Sequence, residues 1–80
     1  MGEVGCRALA ENFKYIPQLH TLTLSGNHIE NAGCYALAAN LKFISRLEQL
    51  DLSENCISKL GSFALTHNIH LLPQLKSFQL

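Results

Sequence analysis

The sequence predicts an α/β solenoid, with a parallel sheet of short strands on its concave side and helices on its convex side. Two observations carry that expectation. Sliding the chain against itself by 28 residues brings it into register along its whole length. Within each 28-residue unit the apolar spacing changes from two, which suits a strand with one buried face, to three and four, which suits a helix with one buried stripe.

The strand half is read in "LHTLTLSGNHI" (19–29), which returns as "LEQLDLSENCI" (47–57) and begins again as "LKSFQL" (75–80). Leu19, Leu47 and Leu75 form one column, Leu22, Leu50 and Phe78 a second, and Leu24, Leu52 and Leu80 a third. Asn27 and Asn55 fall where the chain must turn from strand to helix. A carboxamide suits that place because it both donates and accepts, and so satisfies turn backbone groups that would otherwise be buried unpaired.

The helical half is read in "NAGCYALAANLKFI" (31–44), where Ala36, Leu37, Leu41 and Ile44 stand three and four apart. Gly33 and Gly61 open the helices where a side chain would hinder close packing or an unusual backbone angle. Pro17 and Pro73 are expected to end them, with Ser45 at that column in the middle unit.

The pattern LxxLxLxxNxI followed by xxxGxxxLxxxLxxI resembles the ribonuclease-inhibitor-like subfamily of leucine-rich repeats. The resemblance covers the whole chain: a helical half-repeat at 1–18, full repeats at 19–46 and 47–74, and a strand at 75–80, forming one segment at 1–80. Departures are small. Phe78 replaces a strand leucine, and Val4, Ala32 and Leu60 differ in size at one column.

Strands stack about 4.8 Å apart whereas helices are about 10 Å across, so such a stack curves with the sheet inside. The strand positions that point away from the core are Thr21, Thr23 and Ser25, then Gln49, Asp51 and Ser53, then Ser77 and Gln79. Gly26, His28, Glu54 and Cys56 occupy the adjoining turns. The resemblance implies that this concave sheet and its turns grip a protein partner. On that basis Thr21, Thr23, Ser25, His28, Gln49, Asp51, Ser53, Glu54, Ser77 and Gln79 are the candidate binding residues. Tyr35, Lys42, Phe43 and Arg46, on or near a helical half-repeat, offer an alternative outer surface.

The resemblance further implies a non-catalytic interaction or ligand-sensing segment of an intracellular, cytoplasmic protein. Similar repeats occur in ribonuclease inhibitor, in a GTPase-activating protein of nuclear transport and in nucleotide-binding receptors of innate immunity. Regulation of a GTPase and end-to-end self-association are the alternative readings. A stack of this kind needs about three repeats for stability, which leads to the expectation of a longer array or a covering partner.

Composition narrows the classes. The chain is 48% hydrophobic and 15% charged, with no apolar run near the roughly 20 residues of a membrane span. Charges within "MGEVGCRALAENF" argue against a secretory leader, and Cys6 stands where a myristoylation signal prefers serine or threonine. Six basic and six acidic residues give a net charge of +0, hence no general pull on nucleic acid or anionic lipid. Three cysteines without a close pair suit a reducing compartment.

No chemistry is expected. His20, Asp51 and Ser53 have the residue types of a nucleophilic triad, but an open polar sheet gives no water-excluding pocket. His28 and Cys56 occupy equivalent turns without a third metal ligand, and His67 and His70 read as helix-surface residues. Cys6 and Cys34 read as small packing residues on helices too far apart for a disulfide. The two glycines of "LSGNHIENAG" lack the lysine and hydroxyl of a phosphate loop, so no cofactor is expected.

Overall fold

The structure, a computed structural model, describes residues 2–80; Met1, the first residue of the expected half-repeat, lies outside the described residues. Helix α1 (Gly2–Glu11) leads to β1 (Thr21–Thr23), α2 (Glu30–Asn40) to β2 (Gln49–Asp51), and α3 (Lys59–Asn68) to β3 (Ser77–Gln79). A 3₁₀ turn follows each helix, at Phe13–Tyr15, Leu41–Ile44 and Ile69–Leu71. The strands form a parallel sheet in the order β1-β2-β3. This is the α/β solenoid segment that the periodicity predicts.

Strand register follows the sequence columns. Thr21 stands beside Gln49 and Gln49 beside Ser77; Leu22, Leu50 and Phe78 form the next row, and Thr23, Asp51 and Gln79 the third. The backbone bonds of one junction recur at the next: the Leu24 amide donates to the Asp51 carbonyl at 2.8 Å, and the Leu52 amide to the Gln79 carbonyl at 2.8 Å. One face of the sheet buries Leu24, Leu50 and Leu52 against Leu37, Leu41, Ile44 and Leu65 of the helical layer, with Phe13 and Leu72 closing the core. Val4 and Leu60 are exposed, which accounts for the freedom of size at their column.

The glycine column is explained by proximity. Gly33 is buried, and a Cβ there would collide with Ile29 Cγ2 and lie 3.4 Å from the Cys6 Cβ. At Gly61 a Cβ would lie 2.5 Å from Asn31 Oδ1 and 3.2 Å from the Cys34 Cβ. Neither has a positive φ, so close packing, and not an unusual backbone angle, is the reason for glycine. Both also sit within the first turn of their helices, not at the opening residue.

The helices end earlier than the prolines suggest. Asn12, Asn40 and Asn68, one more column at a step of 28, each donate Nδ2 to the carbonyl four residues back, of Ala8 (2.7 Å), Ala36 (2.8 Å) and Ala64 (2.7 Å). Each asparagine thereby occupies a terminal carbonyl where α-helix gives way to 3₁₀ turn. Pro17 and Pro73 lie beyond those turns, at the bend that leads to the strand.

A helix start is shaped by the repeat that follows it. The Gly2 amide donates to the Asn27 carbonyl at 2.8 Å and the Glu30 amide to that of Asn55 at 3.2 Å, with φ of 75° and 60°. At the equivalent Ser58, φ is −89°. There Asn31, one repeat back, caps α3: its Nδ2 donates to Ser58 Oγ at 2.7 Å, and its Oδ1 accepts from the Ser58 and Gly61 amides at 3.2 Å each.

Candidate functional site

The strands leave one sheet face uncovered, and the side chains on it follow from alternation: leucine inward, polar residue outward. Thr21, Gln49 and Ser77 make one outward row and Thr23, Asp51 and Gln79 the second. Thr21, Thr23, Gln49, Ser77 and Gln79 are exposed, and Asp51 is half-buried on the central strand. Ser25 and Ser53 continue the lines into the turns, the former exposed and the latter half-buried. The strands thus bring eight of the expected binding residues together on one surface.

His28 and Glu54 complete the expected set on the turns, both exposed. These turns hold a left-handed backbone at Gly26 (φ 68°) and Glu54 (φ 59°), which are equivalent, and at His28 (φ 54°) and Cys56 (φ 56°), also equivalent. Each non-glycine residue there costs about 1 kcal/mol relative to a right-handed one. What holds the conformation is the buried carboxamide below. Asn55, 2% exposed, donates Nδ2 to the carbonyls of Leu24 (2.7 Å), Leu52 (2.9 Å) and Ser53 (3.1 Å). Its Oδ1 accepts from the Asn27 amide at 2.6 Å and the Ile29 amide at 3.3 Å. Asn27 does related work one repeat earlier, donating Nδ2 to Leu24 (2.9 Å) and Ser25 (3.1 Å). The rim of the face is therefore fixed from inside.

Asp51 is the one charged residue among the outward strand positions. Its Oδ1 accepts from the Ser53 amide at 3.0 Å and from the Ser53 hydroxyl at 2.7 Å. These bonds hold its carboxyl below the usual range, so it stays ionised at neutral pH. They also remove the basis of a triad. The Ser53 proton is directed at Asp51, and no hydrogen bond joins the exposed His20 ring to either residue. The described residues form no pocket, and no three His, Cys, Asp or Glu side chains among them gather as metal ligands.

The cysteines divide by environment. Cys6 and Cys34 are buried and free, Cys6 Sγ donating to the Gly33 carbonyl at 3.7 Å, while Cys56 is free and exposed. Burial, with Cys6 nearby, pushes the Cys34 thiol up to about 11. Both buried thiols fill small spaces against the glycine of the next repeat.

Sequence reasoning missed Asn31 and the Asn12, Asn40, Asn68 column. The column carried its own signal, three asparagines at a step of 28. Asn31 carried none, since Glu3 and Lys59 hold its equivalent positions.

Comparison with known families gives two matches: residues 17–38 to one described as Leucine Rich repeat, and residues 46–75 to another described as Leucine Rich Repeat. Together they span more than half of the chain. A search of curated proteins finds no match.

Proposed function

Because the chain is a leucine-rich repeat protein, we propose that it is a non-catalytic scaffold that holds a protein partner against the open face of its sheet and the adjoining turns. Protein–protein interaction is the general role of such repeats. One observation carries the assignment to this face: two in-register polar rows, Thr21–Gln49–Ser77 and Thr23–Asp51–Gln79, cover a sheet surface that no element among the described residues packs upon. Ser25, His28, Ser53 and Glu54 extend that surface to the turns.

The 28-residue step supports the ribonuclease-inhibitor-like subfamily, and three free cysteines support an intracellular, cytoplasmic setting. In this reading residues 1–80 act as one repeat segment.

The test is affinity capture with the wild-type chain, followed by the same measurement with Asp51→Arg and Gln49→Ala. Loss of about tenfold or more in affinity, with unchanged circular dichroism, is the expected result. Full retention by both variants would move the site to the helical layer.

A further inference from the structure

We infer that the solenoid carries a second docking site, separate from the sheet face, on the edge where its strands begin, and that this site takes an acidic segment of a partner protein. The 3₁₀ turns form that edge, packed side by side behind the helix ends. The first two carry the same pair of residues at the same place. Lys14 Nζ stands 5.4 Å from the Tyr15 ring centroid, and Lys42 Nζ stands 5.3 Å from that of Phe43. In the third turn the pair becomes His70 and Leu71.

Position alone accounts for the lysines, since a cation at a helix C-terminus meets the negative end of the dipole. It does not account for the rings. Tyr15 is 71% exposed and Phe43 37%, whereas Phe13, Leu41 and Ile44 of the same turns are buried. Aromatic and cationic side chains exposed together are the composition of a binding surface.

The charges on this edge are also unspent. Among the described residues the ion pairs are Glu3–Arg7 at 3.1 Å and Lys76–Glu48 at 3.5 Å, so Lys14, Lys42 and Arg46 have no carboxylate within 4.0 Å. Arg46 gives Nη1 to Gln18 Oε1 at 2.6 Å across the repeat junction, which fixes the guanidinium and leaves its other donors available. Glu11, at the end of α1, and Glu48, held by Lys76, are the acidic residues on this side.

Glu3, Glu30, Asp51 and Glu54 lie at the other edge, where strands end and helices begin, and outnumber its two cations, Lys59 and the Arg7 that pairs with Glu3. The chain is neutral as a whole yet polarised across its height. Attraction of an anionic partner is thus strongest at one rim.

Spacing suggests the form of that partner. Packed helical segments stand about 8–10 Å apart, and a polyproline II segment repeats its facing side chains every third residue, about 9.3 Å. A segment with carboxylates at that interval can place one on each lysine and lay its apolar residues along the exposed rings.

The probe is a fluorescein-labelled (Glu-Pro-Pro)₄ peptide, titrated with the 80-residue chain and followed by fluorescence anisotropy. Saturable binding that weakens with salt is expected. The double variant Lys14→Glu/Lys42→Glu should lose about tenfold or more, because each reversal turns an attraction into a repulsion. Lys14→Gln/Lys42→Gln guards against misfolding of the first variant and should lose a smaller factor in the same direction. Lys59→Gln, at the exposed start of α3 on the opposite edge, should bind the probe as wild type does, which separates this rim from net charge alone. Absence of binding by the wild type, equal binding of (Lys-Pro-Pro)₄, equal binding of an oligothymidylate, or full retention by both lysine variants would each overturn the inference.

Discussion

Replacing Asn55 with alanine should cost more than any other single polar substitution in the chain. The change removes five hydrogen bonds, to Leu24, Leu52, Ser53, Asn27 and Ile29. Two of the losses are cushioned: the Leu24 carbonyl keeps Asn27 Nδ2 at 2.9 Å, and the Ser53 carbonyl keeps the Gly26 amide at 3.1 Å. The buried Ile29 amide and the Leu52 carbonyl lose the carboxamide that served them, at about 1–3 kcal/mol each. With the Asn27 amide bond the total comes to about 4 kcal/mol.

A domain of this size has about 4–12 kcal/mol in all, so the loss is a third of its stability or more. Asn40→Ala is the control, because it removes one bond inside a single helix, to Ala36 at 2.8 Å, and should cost about 1 kcal/mol. Urea unfolding followed by circular dichroism reads both. With a slope of about 1 kcal/mol/M, Asn55→Ala should lower the midpoint by roughly 3–4 M or leave the chain unfolded in buffer. A shift no larger than that of Asn40→Ala would refute the view that the amide between repeats, not helix content, holds the stack together.

Four further outcomes follow from the same geometry. Gly26→Ala places a Cβ in open space at φ 68° and should cost about 1 kcal/mol through the backbone alone, whereas Gly33→Ala meets Ile29 and Cys6 and should cost about 1–3 kcal/mol through overpacking; urea midpoints of the two, with Glu54→Gly expected neutral or stabilising, check the distinction. Iodoacetamide at pH 8 should label Cys56 in the native chain and all three cysteines in denaturant, as read by intact mass. Because the Cys34 thiol is raised from 9.0 to about 11 in the fold, its stabilising effect should be complete below the unfolded value and fade as pH rises through that interval. Asn31→Ala should lower stability by about 1 kcal/mol and speed amide exchange at Ser58 and Gly61, the two amides it caps.

The fold was legible in the sequence because repetition multiplies a weak signal. One alternation of Leu22 and Leu24 says little; the same columns at Leu50 and Leu52 and again at Phe78 fix both the strands and their register. Helix ends were less legible, since Pro17 and Pro73 drew the boundary past the asparagines that set it. Contacts made across repeats by unlike residues, such as Asn31 with Ser58, leave no column to read. The outward face was legible residue by residue, but any strand with one wet side produces polar alternation, so its chemistry toward a partner was not. Nor did a net charge of +0 reveal that Lys14, Lys42 and Arg46 share one rim.

The carboxamide of Asn55 is bound on one side by its own repeat and on the other by the repeat before it, and Asn27 stands in the equivalent turn. Cys6 against Gly33 is likewise the same junction as Cys34 against Gly61. The seams in the stack therefore share these two lips, although the Asn31–Ser58 contact is particular to the second. Excising or duplicating 28 residues rejoins matching lips, wherever within the repeat the cut falls. Adding or removing one or two residues inside a turn would instead carry the amide away from the carbonyls it must meet. Tolerated length variation in such a chain comes in whole repeats, and a frame-preserving change of any other length acts like a core mutation.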